Sequence, residues 1–68
     1  AGEAGGLVAL LRGRLADSDP YRRRQALATL GALAALPDEA VEAAIPLLDD
    51  EDMSVRGQAM EVLGRAAA

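Results

Sequence analysis

The chain has 68 residues, 51% of them hydrophobic, with no Phe, Trp, Cys or His, a single Tyr and a formal net charge of −4. That leaves room for one domain, excludes disulfides and thiolate or imidazole metal centres, and argues against a general nucleic-acid binder, whose affinity comes from clustered cations. The apolar content is carried by Ala, Leu, Val and Ile, small and aliphatic groups that favour closely packed helices, so an all-α fold is expected.

Ala1-Gly-Glu-Ala-Gly-Gly6 lacks the basic start and long apolar run of a signal peptide, and residues 1–6 read as a disordered or cloning-derived leader before a single domain over 7–68. In helix one, from Gly6 to Ala16, Leu7, Val8, Leu11 and Leu15 recur at the spacing of one helical stripe. Asp19 before Pro20 signals the start of helix two: the carboxylate accepts from free N–H groups, and Pro at the first helical position loses no bond. Helix two is expected from about Pro20 to Leu36, with Ala26 or Leu27, Leu30, and Leu33 or Ala34 inward. Arg22, Arg23 and Arg24 fan around its first turn.

Pro37-Asp38-Glu39 breaks the chain, and helix three follows with Val41, Ala44, Ile45 and Leu48 as its apolar stripe. Pro46 predicts a kink or early stop, because it removes a backbone bond and disfavours helical geometry before it. Helix four is expected from just after Asp52 to about Ala66, carrying Val55, Ala59, Met60 or Val62, Leu63 and Ala66. Links this short give antiparallel neighbours. No stretch reaches the roughly 18–20 apolar residues of a membrane span, and a cytoplasmic location is expected.

Leu15 to Gly31 and Leu48 to Gly64 are one motif written twice at a period of 33, with eight of seventeen positions identical. The identical positions are Leu15/Leu48, Asp17/Asp50, Asp19/Asp52, Arg23/Arg56, Gln25/Gln58, Ala26/Ala59, Leu30/Leu63 and Gly31/Gly64. A fixed period in this range marks a stack of supersecondary units. The expected architecture is a short α-solenoid of antiparallel helical hairpins, about four helices long. Gly31 and Gly64 mark either a close helix contact or a helix end.

The run Leu48-Asp-Asp-Glu-Asp52-Met-Ser-Val55-Arg56-Gly-Gln-Ala59-Met-Glu-Val-Leu63-Gly64 resembles the HEAT and HEAT-like repeat. There, a leucine-rich helix ends in an acidic turn, and Val-Arg, Ala and Leu-Gly mark the next helix. The first copy departs from it with Arg22-Arg23 in place of Val-Arg and Pro20-Tyr21 in place of a small polar pair. The resemblance covers about Val8 to Ala66, roughly two repeats. It implies a structural ladder from repeat to repeat through Asp19, Arg23, Asp52 and Arg56, and a role in scaffolding and protein binding.

The arginine run, with Arg12 and Arg14 before it, invites a phosphate or acidic-partner patch, but successive helical residues diverge by about 100° and cannot share one ligand. Asp50, Asp52, Ser54 and Glu61 match ligand positions of a calcium loop, yet Val55 replaces the glycine that loop requires. Asp17-Ser18 invites comparison with the carrier serine of acyl carrier proteins, but Asp19-Pro20 after it reads as a cap. Without His, Cys or Lys no nucleophile and base pair is available, and neither catalysis nor a cofactor is expected.

The expected function is therefore a non-enzymatic protein or peptide interaction module. Its alternatives are an accessory substrate- or carrier-binding domain of a larger enzyme, and a designed or excised fragment that self-associates. What differs between the copies is the place for function, so the candidate interaction surface is Tyr21, Arg22, Arg24, Arg12, Glu39 and Glu42. Both terminal helices read as apolar-faced, without a polar capping repeat, so a second copy is a further candidate partner.

Overall fold

The structure, a computed structural model, describes residues 3–33 and 36–67, with the side chains of residues 3–5, 7, 8 and 67 left out. Four α-helices follow in order: α1 Glu3–Leu15, α2 Pro20–Gly31, α3 Asp38–Ala44 and α4 Met53–Ala67, with a 3₁₀ helix Ile45–Asp49 continuing α3. Part of the segment set apart at 1–6 is thus helical, since α1 starts at Glu3; Ala1 and Gly2 lie outside the described residues. So do the expected inward position Ala34 and the side chains of Leu7 and Val8.

α2 stops at Gly31, five residues short of the expected end at Leu36. Its last turn tightens, with the Ala32 N–H donating to the carbonyls of Ala28 and Thr29 and the Leu33 N–H to that of Leu30. Glycine at the last position and Pro37 just beyond explain the early stop. In the third helix Pro46 converts the second half to 3₁₀ geometry. The tighter turn rotates the stripe, so Ala40, Ala44 and Leu47 face inward while Ile45 and Leu48 are 50% and 37% exposed, which corrects their expected core placement.

α2 and α4 pack side by side as one layer, and α1 and α3 form the other. One core joins them, centred on Leu27, Leu30, Val55 and Val62, which are all but fully buried, with Leu11, Leu15, Ala26 and Ala59 around them. The small residues among these let the helix axes approach closely. No helix among the described residues is long and apolar enough to cross a membrane.

The two glycines of the repeat play different parts. A Cβ added to Gly31 would sit 3.1 Å from Val62 Cγ2, whereas one added to Gly64 meets nothing within 4 Å. Val62 is buried and held to one rotamer by its helix, so it cannot yield. Gly64→Ala is therefore expected to stabilise the fold by about 0.5–1 kcal/mol through helix propensity, whereas Gly31→Ala lowers the melting temperature. Paired thermal melts check this contrast, and a gain at both positions contradicts it.

Candidate functional site

The two acidic turns share one hydrogen-bond pattern. In the first, Asp17 Oδ1 accepts the Asp19 N–H at 2.8 Å and Asp19 Oδ1 accepts the Tyr21 N–H at 2.9 Å; in the second, Asp50 Oδ1 accepts the Asp52 N–H at 2.9 Å and Asp52 Oδ1 accepts the Ser54 N–H at 2.9 Å. Each following arginine reaches back over its turn, Arg23 Nη1 to the Asp17 carbonyl at 2.8 Å and Arg56 Nη1 to the Asp50 carbonyl at 2.7 Å. Asp19 and Asp52 thus cap α2 and α4, satisfying N–H groups that have no partner inside the helix.

Arg23 also spans the repeats. Its Nε and Nη2 grip Asp50 Oδ2 and Oδ1 at 2.8 and 2.9 Å, a bidentate pair with both side chains nearly buried. Asp50, not Asp52, is therefore the acid that meets Arg23. The distinction follows from turn geometry: the carboxylate two residues before the cap lies beside the neighbouring helix, while the cap's own carboxylate is turned onto its N–H groups. The guanidinium of Arg23 holds the Asp50 carboxyl below its ordinary range, and Asp50 in turn raises Arg23. Asp52 is lowered as well, first by the Ser54 hydroxyl and then by the Val55 N–H. Of the acids that matched a calcium loop, Asp50 and Asp52 are engaged in these turns and Glu61 pairs with Arg65 at 2.9 Å, and among the described residues no His, Cys, Asp or Glu group gathers to hold a metal.

Beside the ladder lies a groove of about 560 Å³ between α1 and α2, with buried Leu11 and Ala26 beneath a polar rim of Arg14, Asp17, Arg22, Gln25 and Thr29. Of the candidate surface residues only Arg22 lines it. Tyr21 and Arg24 engage each other instead, the guanidinium 5.3 Å from the ring centroid, with Gln25 Nε2 donating to the Tyr21 hydroxyl at 3.1 Å. Arg12 on α1 and Glu39 and Glu42 on α3 are exposed and line no part of the groove.

The groove corrects the expectation of two apolar ends. Counted back by one repeat, buried or half-buried residues of the third and fourth helices become the lining of the groove: Gln58 becomes Gln25 and Ala59 becomes Ala26, but Leu47 becomes Arg14, Val55 becomes Arg22 and Val62 becomes Thr29. The end beside α1 and α2 is a polar version of an interior seat. Arg14, Asp17, Gln25 and Thr29 were not singled out as one surface because only the fold brings them together; Asp17 and Gln25 carried a signal in their identity with Asp50 and Gln58, and Arg14 in its place beside the arginine run.

A family model of HEAT repeats matches residues 7–67. No curated protein and no solved structure matches the chain. The matched span contains both acidic turns, the Arg23–Asp50 ladder, α2, α3, α4 and α1 from residue 7 onward. With nearly the whole length matched and two units stacked in register, the chain belongs to the HEAT repeat family.

Proposed function

We propose that this chain is a non-enzymatic interaction module that seats a helical segment of a protein or peptide partner in the groove between α1 and α2. HEAT repeats generally act as protein-interaction scaffolds. One observation carries the reading: the groove lining repeats, 33 residues earlier, positions that are buried or half-buried on the third and fourth helices, while its rim has changed from aliphatic to polar. α2 packs on α4 through the later copy of these positions, so the groove offers a helix the same kind of surface. Arg14 and Arg22 offer charge to acidic groups on that helix, and Asp17 accepts from a basic one.

Selection of a displayed library of random amphipathic helices against the dilute domain tests it. Helices so recovered are expected to lose binding when Thr29→Trp fills the groove, and to keep it when exposed Glu42 on α3 is changed to Ala. Recovery of no helix sensitive to Thr29→Trp would overturn the reading.

A further inference from the structure

α2 is held against the next repeat by Arg23 on the Asp50 carboxylate, Arg24 Nη1 on Ser54 Oγ at 3.4 Å, Arg65 Nη1 donating to the Gly31 carbonyl at 2.9 Å, and Gly31 against Val62. One repeat later, the same face of α4 is uncovered. Met60 is 60% exposed, although its counterpart Leu27 is 0% exposed. This is a core position of the repeat with nothing over it among the described residues. On the same face Arg56 bonds only the Asp50 carbonyl through Nη1, and among the described residues no carboxylate meets its Nε or Nη2.

The opposite end carries the matching half. Asp17 is placed by its turn as Asp50 is, yet among the described residues its Oδ2 meets no cation nearer than Arg22 Nη1 at 3.7 Å, and that arginine side chain is 67% exposed. Resting on the groove reading above, we propose that its occupant is a second copy of this chain: α4 of one copy lies in the α1–α2 groove of the next, with Arg56 on Asp17 in the geometry Arg23 makes with Asp50.

Of the other contacts the Arg65 bond is lost, because Ala32 stands one repeat before Arg65, and the remaining two positions pair in the same register. Where Arg24 meets small Ser54 inside the molecule, Gly57 would meet large Tyr21 between copies, and a Cβ on Gly57 has open space around it. Where Gly31 receives Val62, Gly64 would receive the smaller Thr29. Met60 would lie on the aliphatic stems of Arg14 and Arg22, which replace Leu47 and Val55 at the rim. The contact is head to tail, so every added copy presents a fresh Arg56 face and a fresh Asp17 groove, and assembly proceeds to open stacks or a ring.

Sedimentation velocity of the 68-residue chain over a concentration series at low salt tests this. The sedimentation coefficient is expected to climb with concentration and to fall back as salt is added. Asp17→Arg or Arg56→Glu alone should weaken association at least about tenfold. An equimolar mixture of the two variants should associate again, since each supplies the end the other has lost and the two reversed ends also pair. Gly64→Ala should weaken association while raising the melting temperature, which a folding defect cannot imitate. A wild-type chain that stays monomeric throughout, or association indifferent to both reversals, overturns the proposal. If that chain is monomeric while selected helices still need an open groove, only the choice of occupant fails; if selection fails too, the groove reading falls with it.

Discussion

Leu27→Ala is expected to remove about 2–5 kcal/mol of stability, because Leu27 is fully buried on the helix that touches both neighbours and the surrounding α2–α4 packing cannot collapse into the space left. A domain of this length has a total of roughly 3–10 kcal/mol to lose. The variant should therefore be substantially unfolded at room temperature or unfold at far lower urea. Urea denaturation followed by circular dichroism measures it, with Glu42→Ala on exposed α3 as a control that shifts by less than about 0.5 kcal/mol. A Leu27→Ala curve that overlays the control would mean that the core is not centred where α2 meets its neighbours.

The second large effect is a loss of stability in acid that runs through Asp50 and Asp52. Asp50 and Asp52 both lie below the ordinary carboxyl value of 3.8 in the folded chain, Asp50 chiefly through the Arg23 guanidinium and Asp52 chiefly through the Ser54 hydroxyl. The folded state therefore releases these protons more readily than the unfolded one. Their contribution is fully present above the unfolded value, near pH 4, and disappears as pH falls through the lower folded values. Melting temperature should be flat from pH 7 to about 5 and drop steeply below pH 4. Asp50→Asn should lower it by several degrees at pH 7, where Arg23 loses its counter-charge, and should flatten the acid limb. An acid limb of unchanged steepness in Asp50→Asn would place the pH dependence on other carboxylates.

Much of the fold was legible because the chain states it locally. Asp19-Pro20 and Asp52 are short-range capping signals that need no tertiary partner, and both start helices where expected. The kink at Pro46 follows from a missing N–H. The stripe beyond it did not follow, because periodicity assumes one pitch, and the change to 3₁₀ geometry exchanged Leu47 for Ile45 and Leu48. The end of α2 was misplaced for a related reason: Ala32 and Leu33 are good helix formers, but the chain had already closed its last turn over Gly31.

The candidate site was less legible. The arginine run looked like a patch, but helical divergence sends Arg22 to the groove, Arg23 into the ladder and Arg24 onto Tyr21. Three adjacent residues of one type thus have three fates. The apolar character expected of both ends holds at the exposed Met60 face and fails at the groove, where Arg14 and Arg22 stand in seats that are aliphatic one repeat later.

By itself, the sequence determined the repeat, its period, the starts of α2 and α4 and the family, since all of these rest on spacing and on caps that act within a few residues. Tertiary structure alone decided which of two equivalent acids would receive Arg23, and that a groove would form from Arg14, Asp17, Arg22, Gln25 and Thr29. The reason is distance along the chain. Arg23 and Asp50 stand 27 residues apart, and their meeting depends on how α2 settles against α4, a packing outcome in which Gly31 and Val62 set the approach.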